Sequence, residues 1–262
     1  MEYDGTDYAG WQAQTNALAV QTVVERAVER VMKIDVRIIG AGRTDAGVHA
    51  SGQTANFRSP VRIPPAGLKR ALNGALPSDI SVRSAEIVPD TFHARFDALS
   101  RTYEYTILNR PEPSALLARY VWNWGKRLSA PVWSAMCAEL VGEFDFASFQ
   151  KTGGSIRSTV RRIHECVCFR EGGLVKTRVK ANGFLRGMVR AMVGTFRWIA
   201  PDESVGKAEA AERLRAVLAA RGRSAAGPSA PARGLCLVNV DYATEGNELS
   251  FIKTGAERRG EG

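Results

Sequence analysis

Three observations predict an α+β fold made of two halves that repeat one order of elements. Apolar spacing along the chain switches between a helical period near 3.6 and a strand period of 2. From Tyr3 to Val88 the switches run strand, helix, strand, strand, helix, strand. From Thr102 to Tyr242 they run the same way, with longer connections. That order is the ferredoxin-like arrangement. No sequence repeat joins the halves, so residues 1–93 and 94–262 are expected to be two halves on periodicity alone.

The first half opens with a short strand at Tyr3. Val20, Val23, Val24, Ala27, Val28, Val31 and Met32 recur at helical spacing, so residues 19–33 form an amphipathic helix. Val36–Ile39 and Val48–Arg58 read as strands. Pro64-Pro65 opens a helix marked by Leu68, Leu72 and Leu76, and Ile80–Val88 returns as a strand. In the second half Thr102–Leu108 is a strand, and residues 131–141 form a helix with Ser129 placed to cap it. Val160–Phe169 and Leu174–Ala181 flank Glu171-Gly172-Gly173, a hairpin signal. Helices over 184–199 and 207–220 precede the last strand, Leu235–Tyr242. Three stretches are expected to be mobile: residues 221–234, rich in Gly, Ser, Ala and Pro; the glycine-bearing, basic Lys151–Thr159; and the tail after Lys253.

At 262 residues and 45% hydrophobic content the chain can bury a sizeable core. No apolar run approaches a membrane span and no secretory signal is evident, so a cytoplasmic protein is expected. Cys137, Cys166, Cys168 and Cys236 include one close pair, which falls short of a zinc ligand set; they read as reduced thiols. His49, His93 and His164 are scattered in sequence and read as structural. No G-x-S-x-G elbow supports a serine nucleophile. Net charge is +9, from 36 basic and 27 acidic residues, which favours a polyanionic partner.

Placement of that charge is more informative. Within 184–199, Leu185, Met188, Val189, Met192, Val193 and Phe196 make an apolar stripe, and Arg186, Arg190 and Arg197 share a face beside it. Strand 174–181 alternates Val175, Thr177 and Val179 with Lys176, Arg178 and Lys180, giving a basic face with almost no interleaved acids. Such runs are often solvated faces. Like charges this close also oppose one another until a partner neutralises them, so Arg186, Lys176 and Arg178 are candidate phosphate contacts. Tyr103, Tyr105 and Ile107 share one face of strand 102–108. Alternating aromatics usually pack in a core, but a ring beside a basic cleft can stack on a nucleobase. Spacing does not choose between the two tyrosines.

The stretch Gly42-Arg43-Thr44-Asp45-Ala46-Gly47-Val48-His49-Ala50 sets one carboxylate between two glycines, just after an arginine. Gly42 and Gly47 are expected to turn the chain and present Asp45 at a loop tip. Arg43 adds positive charge that favours the ionised, nucleophilic form. Asp-Ala-Gly also reads simply as a turn.

Taken with six other segments, this stretch resembles the signature of the tRNA pseudouridine synthase A family. Those segments are Tyr3-Asp4-Gly5-Thr6-Asp7-Tyr8-Ala9-Gly10-Trp11-Gln12, Phe92-His93-Ala94-Arg95-Phe96, Arg101-Thr102-Tyr103-Glu104-Tyr105, Asp145-Phe146-Ala147-Ser148-Phe149, Asn182-Gly183-Phe184-Leu185-Arg186-Gly187-Met188-Val189-Arg190 and Ala230-Pro231-Ala232-Arg233-Gly234-Leu235. They stand in the right order and cover nearly the whole chain. The resemblance implies an enzyme that isomerises uridine to pseudouridine in the anticodon stem-loop of tRNA, around positions 38 to 40. It implies a homodimer that uses no metal or organic cofactor. It also implies two ferredoxin-like (RRM-like) halves around a central, mostly antiparallel sheet with a basic cleft. At the matching positions it implies Asp45 as nucleophile and Tyr103 as the ring stacking on the target base. Arg190 is implied as the partner of the aspartate, and Arg43 as the residue that helps flip the base. Members of the family carry several more residues before the Tyr-Asp-Gly segment. Only Met1-Glu2 precede it here, so a clipped first strand or an upstream start is expected.

Two other readings compete. A non-catalytic RNA-binding protein with two RRM-like halves gives no reason for an Asp-bearing glycine loop, and the RNP1-type pattern is absent. A nucleoside-cleaving hydrolase would use Asp45 differently. Tritium release from uridine labelled at carbon 5, without free uracil, separates the three.

Overall fold

The computed structural model describes residues 1–151 and 158–243. In chain order the first half contains β1 (Glu2–Tyr3), α1 (Val20–Met32), β2 (Ile39–Gly40), β3 (His49–Ala50), β4 (Ala55–Asn56), α2 (Pro65–Ala75) and β5 (Ile80–Ser81). The second contains β6 (Ala98–Leu108), β7 (Trp122–Asn123), α3 (Ala130–Ala138), β8 (Gly142–Asp145), β9 (Val160–Glu171) and β10 (Leu174–Ala181). It closes with α4 (Met188–Ile199), α5 (Lys207–Ala219) and β11 (Leu235–Tyr242).

One sheet runs through both halves in the order β5-β1-β3-β11-β6-β10-β9-β8, with β7 beside β6. The second half shows the ferredoxin-like arrangement in full: last strand beside first, first beside third, third beside second. The first half keeps β5-β1-β3, but its second strand, β2, pairs with β4 in a separate two-stranded sheet. β11 takes the place beside β3 in a parallel pair, with Cys236 opposite His49 and Leu237 opposite Ala50. The halves are therefore joined by main-chain hydrogen bonds. Every other pair along the large sheet is antiparallel except β6–β7.

Several strands are shorter than their periodicity predicts. Val36–Ile39 contributes only Ile39 to a strand, and Ile80–Val88 pairs only at Ile80–Ser81. Val48–Arg58 is split because the N–H groups of Ser51 and Gly52 both donate to the Leu237 carbonyl, at 2.9 and 3.1 Å. Two donors on one acceptor break the ladder. Helix α4 begins at Met188, not 184, because Gly187 sits at φ +70°, a left-handed angle that a right-handed helix does not contain. The Ser129 hydroxyl accepts the Val132 N–H and caps α3 as expected.

Residues 221–234 pack tightly, contrary to the expected mobile linker. The Gly227 N–H donates to the Thr195 hydroxyl at 3.0 Å, and the Ala230 N–H to the Arg190 carbonyl at 2.9 Å. Small residues read as loop composition but serve here to bring the backbone against α4. Residues 152–157 of the second stretch, and all of the tail, lie outside the described residues.

Helices α3 and α4 meet where Trp133 packs on Phe196, ring centroids 5.7 Å apart, and they cover the face that Tyr103, Val179 and Cys166 share. Cys137, Cys166 and Cys168 are buried free thiols, and burial pushes Cys168 up to about 12, away from the reactive thiolate. Among the described residues no helix is long and apolar enough to cross a membrane, and no group of three His, Cys, Asp or Glu is placed to hold a metal ion.

Candidate active site

The Asp45 loop is shaped from three sides. Its turn is closed by the Val48 N–H on the Asp45 carbonyl at 3.1 Å, with Gly47 at φ +74° in the third position. A type II turn requires that positive angle there. Asp45 therefore stands at the entrance of the turn and not at its tip. Gly42 does not adopt a left-handed angle; its place is close packing, since a Cβ there would lie 3.4 Å from the Tyr103 hydroxyl. Gln53 clasps Gly42, donating to its carbonyl at 2.7 Å and accepting its N–H at 3.2 Å.

The opening segment of the chain cradles the loop from below. Trp11 donates its N–H to the Thr44 carbonyl at 3.1 Å, and Gly47 donates to the Tyr8 carbonyl at 3.2 Å. The Tyr3 and Thr44 hydroxyls share a hydrogen bond of 2.9 Å. Gly10, at φ +97°, lies so close that a Cβ would meet the Thr44 carbonyl oxygen at 2.5 Å. Any side chain there would displace the residue bearing the carboxylate.

Across from the loop stands the start of α4. Arg190 Nη1 donates to Asp45 Oδ2 at 3.4 Å, while its Nε donates to the Ala230 carbonyl at 2.8 Å. The two side chains are 20% and 25% exposed, so the pair is long and reachable. A Cβ on Gly187 would lie 3.9 Å from Asp45 Oδ2, which puts the carboxylate at the positive end of the helix. Tyr103 completes the cluster. Its ring meets the edge of Phe184 at 5.0 Å and 82°. Burial first, then the neighbouring Tyr3 and the Asp45 charge, push its hydroxyl far above the usual tyrosine range, so it stays neutral.

The other predicted residues are placed elsewhere. Arg43 is exposed beside Arg95 and Arg37; burial and those two charges lower its guanidinium from the usual range. The positive charge facing Asp45 is that of Arg190. Arg186 is exposed in the loop before Gly187, with its carbonyl accepting the Lys151 N–H at 2.9 Å. Arg197, about 10 Å beyond Arg190 along α4, lies over Trp124 at 4.8 Å.

Lys176 and Arg178 do not join this cluster. Arg178 stands opposite Glu104, and Val179 opposite Tyr103, so the basic residues of β10 project from the other face of the sheet. Their acids come from neighbouring strands. Arg178 reaches Glu104 with two nitrogens at 2.8 and 3.1 Å, and Lys176 meets Glu171 at 2.6 Å and Glu104 at 3.5 Å. Reading β10 alone hid that pairing.

Sequence reasoning missed Arg101. It is buried, and its guanidinium donates to the carbonyls of Ala41, Ala98, Asn182 and Arg95. One side chain thus fastens the stem of the Asp45 loop, the start of β6 and the loop leading to α4. A signal was available, because Arg101 extends the period-2 stripe of Tyr103 and Tyr105.

Fold and site together define an enzyme class: a two-half α+β scaffold that sets one loop-borne carboxylate against an arginine at a helix start, beside a neutral tyrosine. The sequence model of the family described as tRNA pseudouridine synthase matches residues 1–97 and 136–243. The chain is 42% identical to tRNA pseudouridine synthase A 2 of Clostridium perfringens, over 92% of this chain and 97% of that protein. It is 41% identical to tRNA pseudouridine synthase A of Syntrophotalea carbinolica (94% and 95% covered) and of Rhodopseudomonas palustris (92% and 97%). The chain belongs to the tRNA pseudouridine synthase family.

Proposed function

We infer that this chain isomerises uridine to pseudouridine in tRNA, with Asp45 as the nucleophile. The observation that carries the reading is the meeting of Asp45 and Arg190 at the start of α4, beside Tyr103, in a chain of this family. The reaction breaks an N-glycosidic bond, turns the uracil and rejoins it through carbon. An ionised carboxylate serves that chemistry as a nucleophile, on the sugar or the base, or as a base. Arg190 and the helix start set positive charge against the Asp45 carboxylate, a contact that strengthens as bound RNA excludes water. The target base leaves its stack at a cost of a few kcal/mol. Stacking on Tyr103 offsets that cost, as do phosphate contacts from Arg43 and Arg186. The substrate region is the anticodon stem-loop around positions 38 to 40, and the protein works in the cytoplasm as a homodimer.

Replacing Asp45 with Ala is expected to abolish pseudouridine formation while tRNA binding stays within about threefold. Tritium release from 5-labelled uridine in tRNA measures the first, and fluorescence anisotropy the second. Turnover retained in Asp45→Ala would sink the assignment. Free uracil in the wild-type reaction would instead favour a hydrolase.

A further inference from the structure

Phe96 takes no part in the chemistry above, yet among the described residues it is the most exposed aromatic, at 74%. It is also firmly held. The His93 ring stacks on it at 4.3 Å and 30°, and the Arg95 guanidinium lies 5.5 Å from its centroid. Beneath it the chain is pinned: His93 Nδ1 accepts the N–H groups of Arg95 and Phe96, both at 3.2 Å. The Ala94 N–H donates to the Asn56 side chain at 2.9 Å, and the Ala94 carbonyl accepts the Tyr242 hydroxyl at 2.7 Å. An exposed ring fixed in this way adds little to the core.

The surroundings are positive. Arg43 has Arg95 and Arg37 as electrostatic neighbours, and among the described residues neither Arg43 nor Arg95 makes an ion pair. Arg37 meets Glu25 at a distant 3.9 Å. The carboxylate of Asp97, next to Phe96 in the chain, accepts the His93 backbone N–H at 2.7 Å. The patch is tied to the active site through Arg101, which binds the carbonyls of Arg95 and Ala41 with the same guanidinium. Arg43 is two residues from Asp45.

We propose that Phe96, backed by His93 and flanked by Arg95 and Arg43, is a stacking platform for one unpaired nucleotide of the RNA strand that carries the target uridine. An open, pre-ordered ring accepts the face of any base, and the arginines match the phosphate that follows it. Holding the ring in place beforehand lowers the ordering cost on binding. Holding a neighbouring nucleotide would keep the strand in register while the uridine is turned out. The proposal rests on the tRNA-modifying reading and adds a contact to it.

The test uses tRNA transcripts with 2-aminopurine at each nucleotide flanking the target in turn, and the full chain in an Asp45→Ala background. Tritium release measured alongside in the same background reports on the catalytic reading separately, so its failure and the failure of the platform are told apart. In the Phe96-intact protein one flanking position is expected to be quenched on binding. Phe96→Leu should lose most of that quenching and raise Kd about tenfold, and Phe96→Trp should restore both. Arg95→Gln should lower the slope of log K against log salt by about one. The ring is outside the core, so circular dichroism and Tm should match the parent. A Kd within twofold of the parent in Phe96→Leu, or no quenching at any flanking position, overturns the platform. So does a change of oligomeric state in Phe96→Leu with RNA affinity unchanged, which would make Phe96 a contact between copies.

Discussion

The two faces of the sheet use charge in opposite ways. On the back, Lys176, Arg178 and Lys180 meet Glu104, Glu171 and Asp241, with closest approaches of 2.6 to 2.9 Å. On the site face, Arg190 meets Asp45 at 3.4 Å and spends its Nε on a carbonyl. The back face, which carried the stronger positive pattern in the sequence, is satisfied internally. On the site face the Arg190–Asp45 pair is long enough for an incoming group to divide. A basic residue signals a ligand less by its neighbours in sequence than by whether adjacent strands supply its acid.

The largest expected effect that tests this contrast is at Arg190. Arg190→Gln removes the charge facing Asp45 and should lower kcat/KM by roughly a thousandfold, the scale seen when one stabilising donor is lost from an active site. Stability should fall by only about 1 kcal/mol, because the ion pair is partly exposed and the main loss is the Nε hydrogen bond to the Ala230 carbonyl. Single-turnover pseudouridine formation beside a urea unfolding curve measures both. A loss of stability without a loss of rate would make Arg190 a structural residue like those on the back.

Arg101 joins the faces to the fold and should behave in the reverse way. Arg101→Met leaves the carbonyls of Ala41, Ala98 and Asn182 without that donor. The expected cost is about 3 kcal/mol or more of folding stability, read as a lowered urea midpoint. Activity should fall too, because the same side chain holds the stem of the Asp45 loop. Unchanged stability would show that water or other donors take its place.

These residues also show what the sequence made legible. Helical and strand periods placed α1, α5, β10 and β11 because each buries one stripe, and that stripe is written locally. Strand lengths in the first half were not legible, since the break after β3 depends on the Leu237 carbonyl, nearly two hundred residues away. The turn at Asp45-Ala46-Gly47 was legible from Gly47. Its meeting with Arg190, 145 residues on, followed only from family resemblance. The acid partners of Lys176 and Arg178 were hidden for a similar reason, because Glu104 lies on β6 and periodicity within β10 carries no word of it.

A smaller effect belongs to the back face itself. Replacing Lys176 and Arg178 together by Gln leaves the half-buried Glu104 without its two cations. The cost should be about 1–2 kcal/mol, with tRNA affinity within twofold of wild type. A tenfold weaker tRNA complex would return these residues to the binding surface and break the contrast between the faces.

The subtlest expected effect is on acid sensitivity at Asp241. Burial alone would raise this carboxyl, but the Ser100 hydroxyl and the Lys180 ammonium at 2.9 Å outweigh it and hold it below the usual carboxylate range. A group whose pKa is depressed by folding adds stability above its unfolded value, about 3.9. That stability is lost as pH falls through the folded value. Asp241→Asn should therefore be less stable than wild type at pH 7, and the gap should close on acidification below about pH 4. Urea midpoints for both proteins at pH 7 and pH 3 give the comparison. A gap that stayed constant would mean that Asp241 acts through the shape of its hydrogen bonds, which Asn partly keeps. In that case the back face would be held by packing, and its paired charges would add little to its stability.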